Sequence, residues 1–226
     1  IGGDAFIDCT SLTTVNLPNA TSLDSSVFRT CTSLKTIDLP NATSIGNDAF
    51  NGCTSLTTVN LPNVTSIGSD AFDKCTSLKS VDLPNVTSIG YFAFINCTSL
   101  TTINLPNVTS IGNGVFRECE SLTAINLPNA TSIGERAFAN CTSLKTLDLP
   151  KVTSIGSNAF IDCTSLTALI LRYTIAPGTI DLFSLMGTPA MEGMGHIYVP
   201  TSLYENYRTI YEAQINQLMP GFFDIL

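Results

Sequence analysis

The chain has 226 residues, 44% of them hydrophobic and only 12% charged, with 18 acidic against 10 basic residues and a net charge of −8. An acidic balance and a pI near 4.4 argue against nucleic acid or an anionic membrane surface as partner. The apolar runs are a few residues long, far short of the roughly 18 that a membrane-crossing helix needs, so membrane insertion of this segment is not expected and the apolar content belongs to a buried core.

From its first residues the chain repeats. Cys9, Cys31, Cys53, Cys75, Cys97, Cys119, Cys141 and Cys163 are spaced by 22 residues, and Phe6 to Phe160, Leu12 to Leu166 and Leu17 to Leu171 keep the same period. A fixed period of this length is the signature of a solenoid, in which each unit buries its apolar face only against its neighbours. Ile1-Gly2 stands in register with Ile45-Gly46, so the sequence opens inside a repeat and without Met. It is read as a trimmed or processed fragment, and the missing leader says nothing about secretion.

Residues 45 to 66 show what one unit does. Leu56-x-x-Val59-x-Leu61 ends in period-2 alternation, which predicts a short strand with Val59 and Leu61 inward and Thr58 and Asn60 outward. Pro62-Asn63 turns the chain out of that strand, because Pro lacks the N–H a ladder needs. Val64 to Ile67 reads as a second extended piece, and Gly68 permits the next bend. Ser69 to Cys75 then reads as one or two helical turns capped by Ser69, with Ala71 and Cys75 sharing a face at i, i+4.

The strand core Leu-x-x-[Val/Ile]-x-Leu matches the leucine-rich repeat pattern. The fuller phrase, Leu-Pro-Asn-[Ala/Val]-Thr-Ser-Ile-Gly followed by Ala-Phe-x-x-Cys-x-Ser-Leu, resembles the BspA-like leucine-rich repeats of bacterial surface proteins over residues 1 to 172. Where the general pattern places Asn or Cys, this chain has Ala20, Ala42, Val64, Val86, Val108, Ala130 and Val152, so no Asn ladder is expected at that position. The resemblance implies an extracellular or cell-surface protein that adheres to a protein or glycan, possible ligands including host matrix proteins.

The expected architecture is thus an α/β leucine-rich repeat solenoid of about eight repeats over 1–172, with parallel strands on the concave face, helical turns on the convex side and a C-terminal cap over 173–226. The period fails after Leu171, where Arg172 replaces the Pro of earlier units. Residues 173–195 read as an irregular coil with Ile175, Ile180, Phe183 and Leu185 as its core. A strand follows at 197–199. A capping helix is expected over about 202–218, starting from the Ser202-x-x-Glu205 box and stopping at Pro220-Gly221. The first coil has no such cover and should fray or contact another molecule.

The even number of cysteines suggests disulfides. Stacked coils, however, hold equivalent Cβ atoms about 4.8 Å apart where a bridge wants about 3.8 Å. The cysteines are therefore expected as a ladder of buried free thiols, small apolar fillers, and no C-x-x-C pair offers a metal site. Asn19, Asn41, Asn63, Asn85, Asn107, Asn129, Asn96 and Asn140 all begin formal glycosylation sequons. Rung spacing is too tight for glycans on neighbouring coils, so the Pro-Asn positions are read as turn residues and the source as bacterial. Catalysis is not expected and no cofactor is implied. The single histidine, His196, has no nucleophile context, Glu118 and Glu120 read as a solvated face, and no phosphate loop, nucleophile elbow or HExxH occurs.

The residues left for function lie outward on the strands. Rungs with Lys at the strand entrance carry Asp three residues on: Lys35 with Asp38, Lys79 with Asp82 and Lys145 with Asp148. Intervening rungs carry Thr with Asn60, Asn104 or Asn126. Charged rungs are never adjacent, which avoids stacking like charges at strand spacing, and they also make a polar track that a ligand would read. Ile170 breaks the polar column and is expected to be covered by the segment after 172. Three functions fit: a binding module using these nine residues, a passive stalk spacing another domain, or an ice-binding surface built on the Thr columns. The Lys and Asp interruptions and the lack of Thr-x-Thr on the strands oppose the last. Tyr91-Phe92, where other units have polar pairs such as Asn47-Asp48, is the one exposed aromatic patch expected on the repeats, either a contact site or a chance variant.

Overall fold

A computed structural model of the chain describes residues 1–172, 182–189, 191, 193–205, 207, 209 and 223–225. The repeats wind into eight coils, each contributing one long strand, and the first seven coils each add a short strand among the described residues. The long strands are β1 (Thr14–Asn16), β3 (Thr36–Asp38), β5 (Thr58–Asn60), β7 (Ser80–Asp82), β9 (Thr102–Asn104), β11 (Ala124–Asn126), β13 (Thr146–Leu149) and β15 (Ala168–Leu171). The short ones are β2 (Ser22–Leu23), β4 (Ser44–Ile45), β6 (Ser66–Ile67), β8 (Ser88–Ile89), β10 (Ser110–Ile111), β12 (Ser132–Ile133) and β14 (Ser154–Ile155). Pairing is parallel and steps by one repeat, so Thr14, Thr36 and Thr58 align, as do Asn16, Asp38 and Asn60.

The third side of each coil differs from the expected helical turns. Residues 69–75 are turns, and the reason lies in the backbone donors. Asp70 and Lys74 have φ of 54° and 58°, and equivalents such as Asp48, Asn96, Asn140 and Asn158 are also left-handed. Placing αL residues at these two positions turns every second N–H outward along the solenoid axis. Asp70, Phe72 and Lys74 then donate to the carbonyls of Tyr91, Ala93 and Ile95 on the next coil. An α-helix would spend those donors within its own turn. Asn, Asp and Gly suit the positions because they tolerate positive φ. The expected helix cap at Ser69 is also corrected: its N–H donates to Asn47 Oδ1 of the preceding coil at 2.8 Å.

Between these three sides lies one core. Every repeat Phe from Phe28 to Phe160 and every Cys from Cys31 to Cys163 is buried. The Phe rings form a continuous stack with centroids 5.1 to 5.7 Å apart, favourable aromatic spacing. The eight cysteines are free. They are more than fillers: Cys31 Sγ donates to Phe6 O at 3.1 Å, and each later thiol donates likewise to the Phe carbonyl 25 residues earlier, through Cys163 to Phe138 at 3.0 Å. Burial pushes the thiols up, Cys31 to about 11 and Cys53 to about 12.

Beyond Arg172 the long-strand sheet continues. β16 (His196–Val199) pairs with β15, and β17 (Phe223–Ile225) pairs with β16. A short 3-10 turn at Leu182–Leu185 continues the turn side, with Phe160 N donating to Ser184 O and Asp162 N to Met186 O. The capping helix expected over about 202–218 is not borne out: helical backbone is described only at 201–205, 207 and 209, and 210–218 lies outside the described residues, as do the expected core positions Ile175 and Ile180. Sequence patterning there signalled amphipathicity, which is weaker evidence than a repeat because no neighbouring coil enforces it.

Candidate functional site

On the long-strand face the outward columns stand in register, but the sheet is divided into panels. Pairing runs β1-β3-β5, then β7-β9-β11, then β13-β15-β16-β17. At each division the last inward residue of a panel, Val59 or Ile125, is only half-buried, unlike Val81 and Ile103 within the middle panel. The middle panel carries a hollow of about 500 Å3 whose rim includes Asp82, Asn104 and Asn126, over a floor of Val81, Ile103 and Ile125. Ala124, where most units have Thr, lowers one wall of it.

Each predicted carboxylate is engaged along the sheet and not across its own rung. Asn60 Nδ2 donates to Asp38 Oδ1 at 2.7 Å, and Asn104 Nδ2 donates to Asp82 Oδ1 at 3.0 Å. Arg172 forms a fork on Asp148, with Nη2 at 2.8 Å from Oδ2 and Nε at 3.1 Å from Oδ1. The fork raises the Arg172 pKa through hydrogen bonding and charge. Lys35, Lys79 and Lys145 are exposed and form no ion pair among the described residues, whereas Lys74, Arg117, Arg136 and Arg172 each have a carboxylate partner. The Lys-Asp rungs are therefore not salt bridges. They leave a column of three unpaired ammonium groups beside carboxylates that already hold a neighbour.

The nine predicted residues thus fall into three places: Lys35, Asp38 and Asn60 on the first panel, Asp82, Asn104 and Asn126 about the hollow with Lys79 at the entrance of its first strand, and Lys145 with Asp148 on the third. Ile170 aligns with Tyr198 of β16, so the column continues into the cap. Of the segment after 172 expected to cover Ile170, residues 173–181 lie outside the described residues. His196 Nδ1 lies 3.1 Å from Asp224 Oδ2, which ties the two cap strands together. Glu118 is tied to Arg117 at 3.2 Å and to Asn140 at 3.4 Å, a local network on the turn side. Among the described residues no cluster of His, Cys, Asp or Glu could hold a metal ion, and no helix is long and apolar enough to cross a membrane.

One feature of the second to sixth coils escaped the sequence reading. From Asn41 to Asn129 the Asn of Leu-Pro-Asn does form a ladder, one residue before the position where none was expected. Asn41 Nδ2 donates to Pro18 O at 2.7 Å, Asn63 to Pro40 O at 2.7 Å and Asn85 to Pro62 O at 2.8 Å, with Asn107 and Asn129 following. These amide nitrogens, the atoms a glycan would use, are already committed. Invariance of Pro-Asn across six units, beyond what a turn needs, was the available signal.

Comparison with known proteins agrees with this geometry. The family profile for the BspA-type leucine-rich repeat region, in its six-copy form, matches residues 1–116 and 43–167. The crystal structure of a leucine-rich repeat protein from T. pallidum is similar at 33% identity and a TM-score of 0.65, over 68% of this chain and 77% of that one. A leucine-rich repeat protein from Bacteroides ovatus is similar at 27% identity and a TM-score of 0.69; it matches the whole of this chain, which spans 63% of that protein's chain. No curated protein matches.

Proposed function

The chain belongs to the BspA-type leucine-rich repeat family, and from that premise we propose that it is a binding module whose long-strand face docks a protein or glycan partner at a bacterial cell surface or outside the cell. Proteins of this repeat family generally serve interaction or structural roles and are typically not catalysts. The observation that carries the reading is the column Lys35, Lys79 and Lys145, three ammonium groups without carboxylate partners on one face of a chain that is otherwise acidic. Unpaired charge flanking a hollow rimmed by Asp82, Asn104 and Asn126 gives a partner both steering and hydrogen-bonding positions.

The test is binding of the purified chain to arrayed extracellular-matrix proteins and glycans, beside a Lys35→Glu/Lys79→Glu/Lys145→Glu variant. A hit that the variant loses, with its melting temperature unchanged, supports the reading. A hit the variant keeps moves the site off this face. A second reading, a passive stalk, is favoured by the unbroken turn-side ladder from the first coil into the cap; silence across the array would support it.

A further inference from the structure

On the short-strand side, one junction between coils differs from the rest. Those strands pair β2-β4-β6-β8 and then β10-β12-β14, with no pairing between β8 and β10. At other junctions a Thr N–H and hydroxyl both donate to the Thr one coil back, as Thr87 does to Thr65 and Thr131 to Thr109, and a Gly N–H donates likewise, as Gly90 does to Ile67 and Gly134 to Ile111. Between Thr87 and Thr109, and between Ile89 and Gly112, no such bond forms. Carbonyls on one side and N–H groups on the other are released from the ladder, and a cleft of about 400 Å3 lies there, lined by Thr87, Ser88, Tyr91, Thr109, Ser110 and Gly112 among others.

Tyr91 and Phe92 stand at this junction, 57% and 36% exposed, where all other coils carry polar residues or glycine. The next coil is shaped to receive them. A Cβ at Gly114 would meet the Phe92 ring at 2.3 Å, and at Gly112, a glycine that recurs at this place in most coils, a Cβ would meet the Tyr91 ring at 3.1 Å. Gly114 is the one glycine at its place in the repeat, directly after the one aromatic. Phe92 holds this platform although its φ of 58° is unfavourable for a bulky side chain. Exchange of two coils in concert, a broken ladder and an exposed ring at one place are hard to reconcile with a lone chance substitution.

We propose that this cleft is a second binding site, distinct from the long-strand face and independent of the function assigned to it, and that its ligand is a short uncharged saccharide. The lining holds no Lys, Arg, His, Asp or Glu, which disfavours a charged ligand. An exposed tyrosine face offers the C–H surface of a sugar ring a stacking partner. Hydroxyls of Ser88 and Thr109, the Ser110 hydroxyl whose oxygen already accepts from Ser132, and the released backbone groups match the mixed donor and acceptor edge of such a ring. The cleft volume is within the range of small-molecule sites.

The experiment titrates the whole chain with a panel of uncharged di- and trisaccharides, with one uronic-acid disaccharide as the charged probe. Binding is read by calorimetry and by tyrosine fluorescence, which no tryptophan obscures. Wild type, Tyr91→Ala and Tyr91→Phe are compared, with thermal melts to confirm folding. The expected result is binding of at least one neutral sugar that Tyr91→Ala weakens about tenfold and Tyr91→Phe retains within about threefold. No neutral sugar bound, preference for the charged probe, equal binding by Tyr91→Ala, or equal loss in Tyr91→Phe would each overturn the proposal. The Lys triple variant should bind the sugar as wild type does, so failure here and failure of the long-strand face are read separately.

Discussion

The turn side and the two strand sides of the solenoid are built from the same 22-residue unit, yet only the turn side is continuous. At each of the seven junctions between coils it makes three backbone hydrogen bonds of 2.7 to 3.1 Å, and two more join the last coil to the cap. The long-strand sheet divides after β5 and after β11, and the short-strand sheet after β8. Register is therefore held by the turn ladder with its stacked Phe rings and thiols beneath, and the strand faces are free to open where their side chains vary. Both candidate sites lie at or beside such openings. A rigid spine with adjustable faces lets a repeat protein change what it contacts without losing its fold.

Base should strike the spine hardest. Unfolded thiols ionise at about pH 8.5, while burial holds Cys31 up to about 11, Cys53 to about 12 and Cys75, Cys97 and Cys141 well above their ordinary value. The folded state thus keeps protons that the unfolded state loses. That stability is complete below about pH 8.5 and drains as pH rises toward and through the folded values, at about 1.4 kcal/mol per pH unit for each fully buried thiol. Melting temperatures from pH 7 to 10.5 should fall steeply above pH 9, and Cys97→Ala should flatten the slope; a flat profile would remove the thiols from the spine.

Next in size is Phe94→Ala, which opens a gap in the ring stack and should cost about 3–5 kcal/mol in urea denaturation. Thr102→Ala, in the same coil on the long-strand face, should change stability by no more than about 0.5 kcal/mol. Equal costs would break the distinction between spine and face. Asn85→Ala removes one rung of the side-chain ladder and should cost about 1 kcal/mol, with the same loss at Asn63 or Asn107 if the rungs are equivalent. Opposite in sign is a modest gain: Arg136 has φ of 53° and only a long ion pair to Glu135 at 3.9 Å, so Arg136→Gly should stabilise by about 0.5–1 kcal/mol by relieving the left-handed backbone.

Legibility followed the repeat. Leu56, Leu61, Phe50 and Cys53 announce their burial because each recurs eight times at one period, and the outward columns through Asp38, Asn60, Asp82 and Asn104 follow from alternation on a strand of known register. Ser69 to Cys75 misled because burial of Ala71 and Cys75 satisfies a helical period and a turn ladder equally well. What separates them is the φ of Asp70 and Lys74, and Asp at the first of those positions was the faint clue. Tyr91-Phe92 could be named as exposed from the sequence, but its fit to Gly112 and Gly114 could not, because the aromatic and its glycine lie a full coil apart.

The sequence by itself determined the solenoid, its period, its parallel strands and its buried thiols, since a 22-residue repeat leaves each unit only its neighbours to pack against. Tertiary structure alone decided where the backbone donors go. It set the αL positions of the turn ladder, the amide bonds from Asn to Pro, the Arg172 fork on Asp148 that leaves Lys145 unpaired, and the openings in the two sheets. Each of those depends on a distance between coils, and a repeat pattern specifies what stacks but not how closely every junction closes.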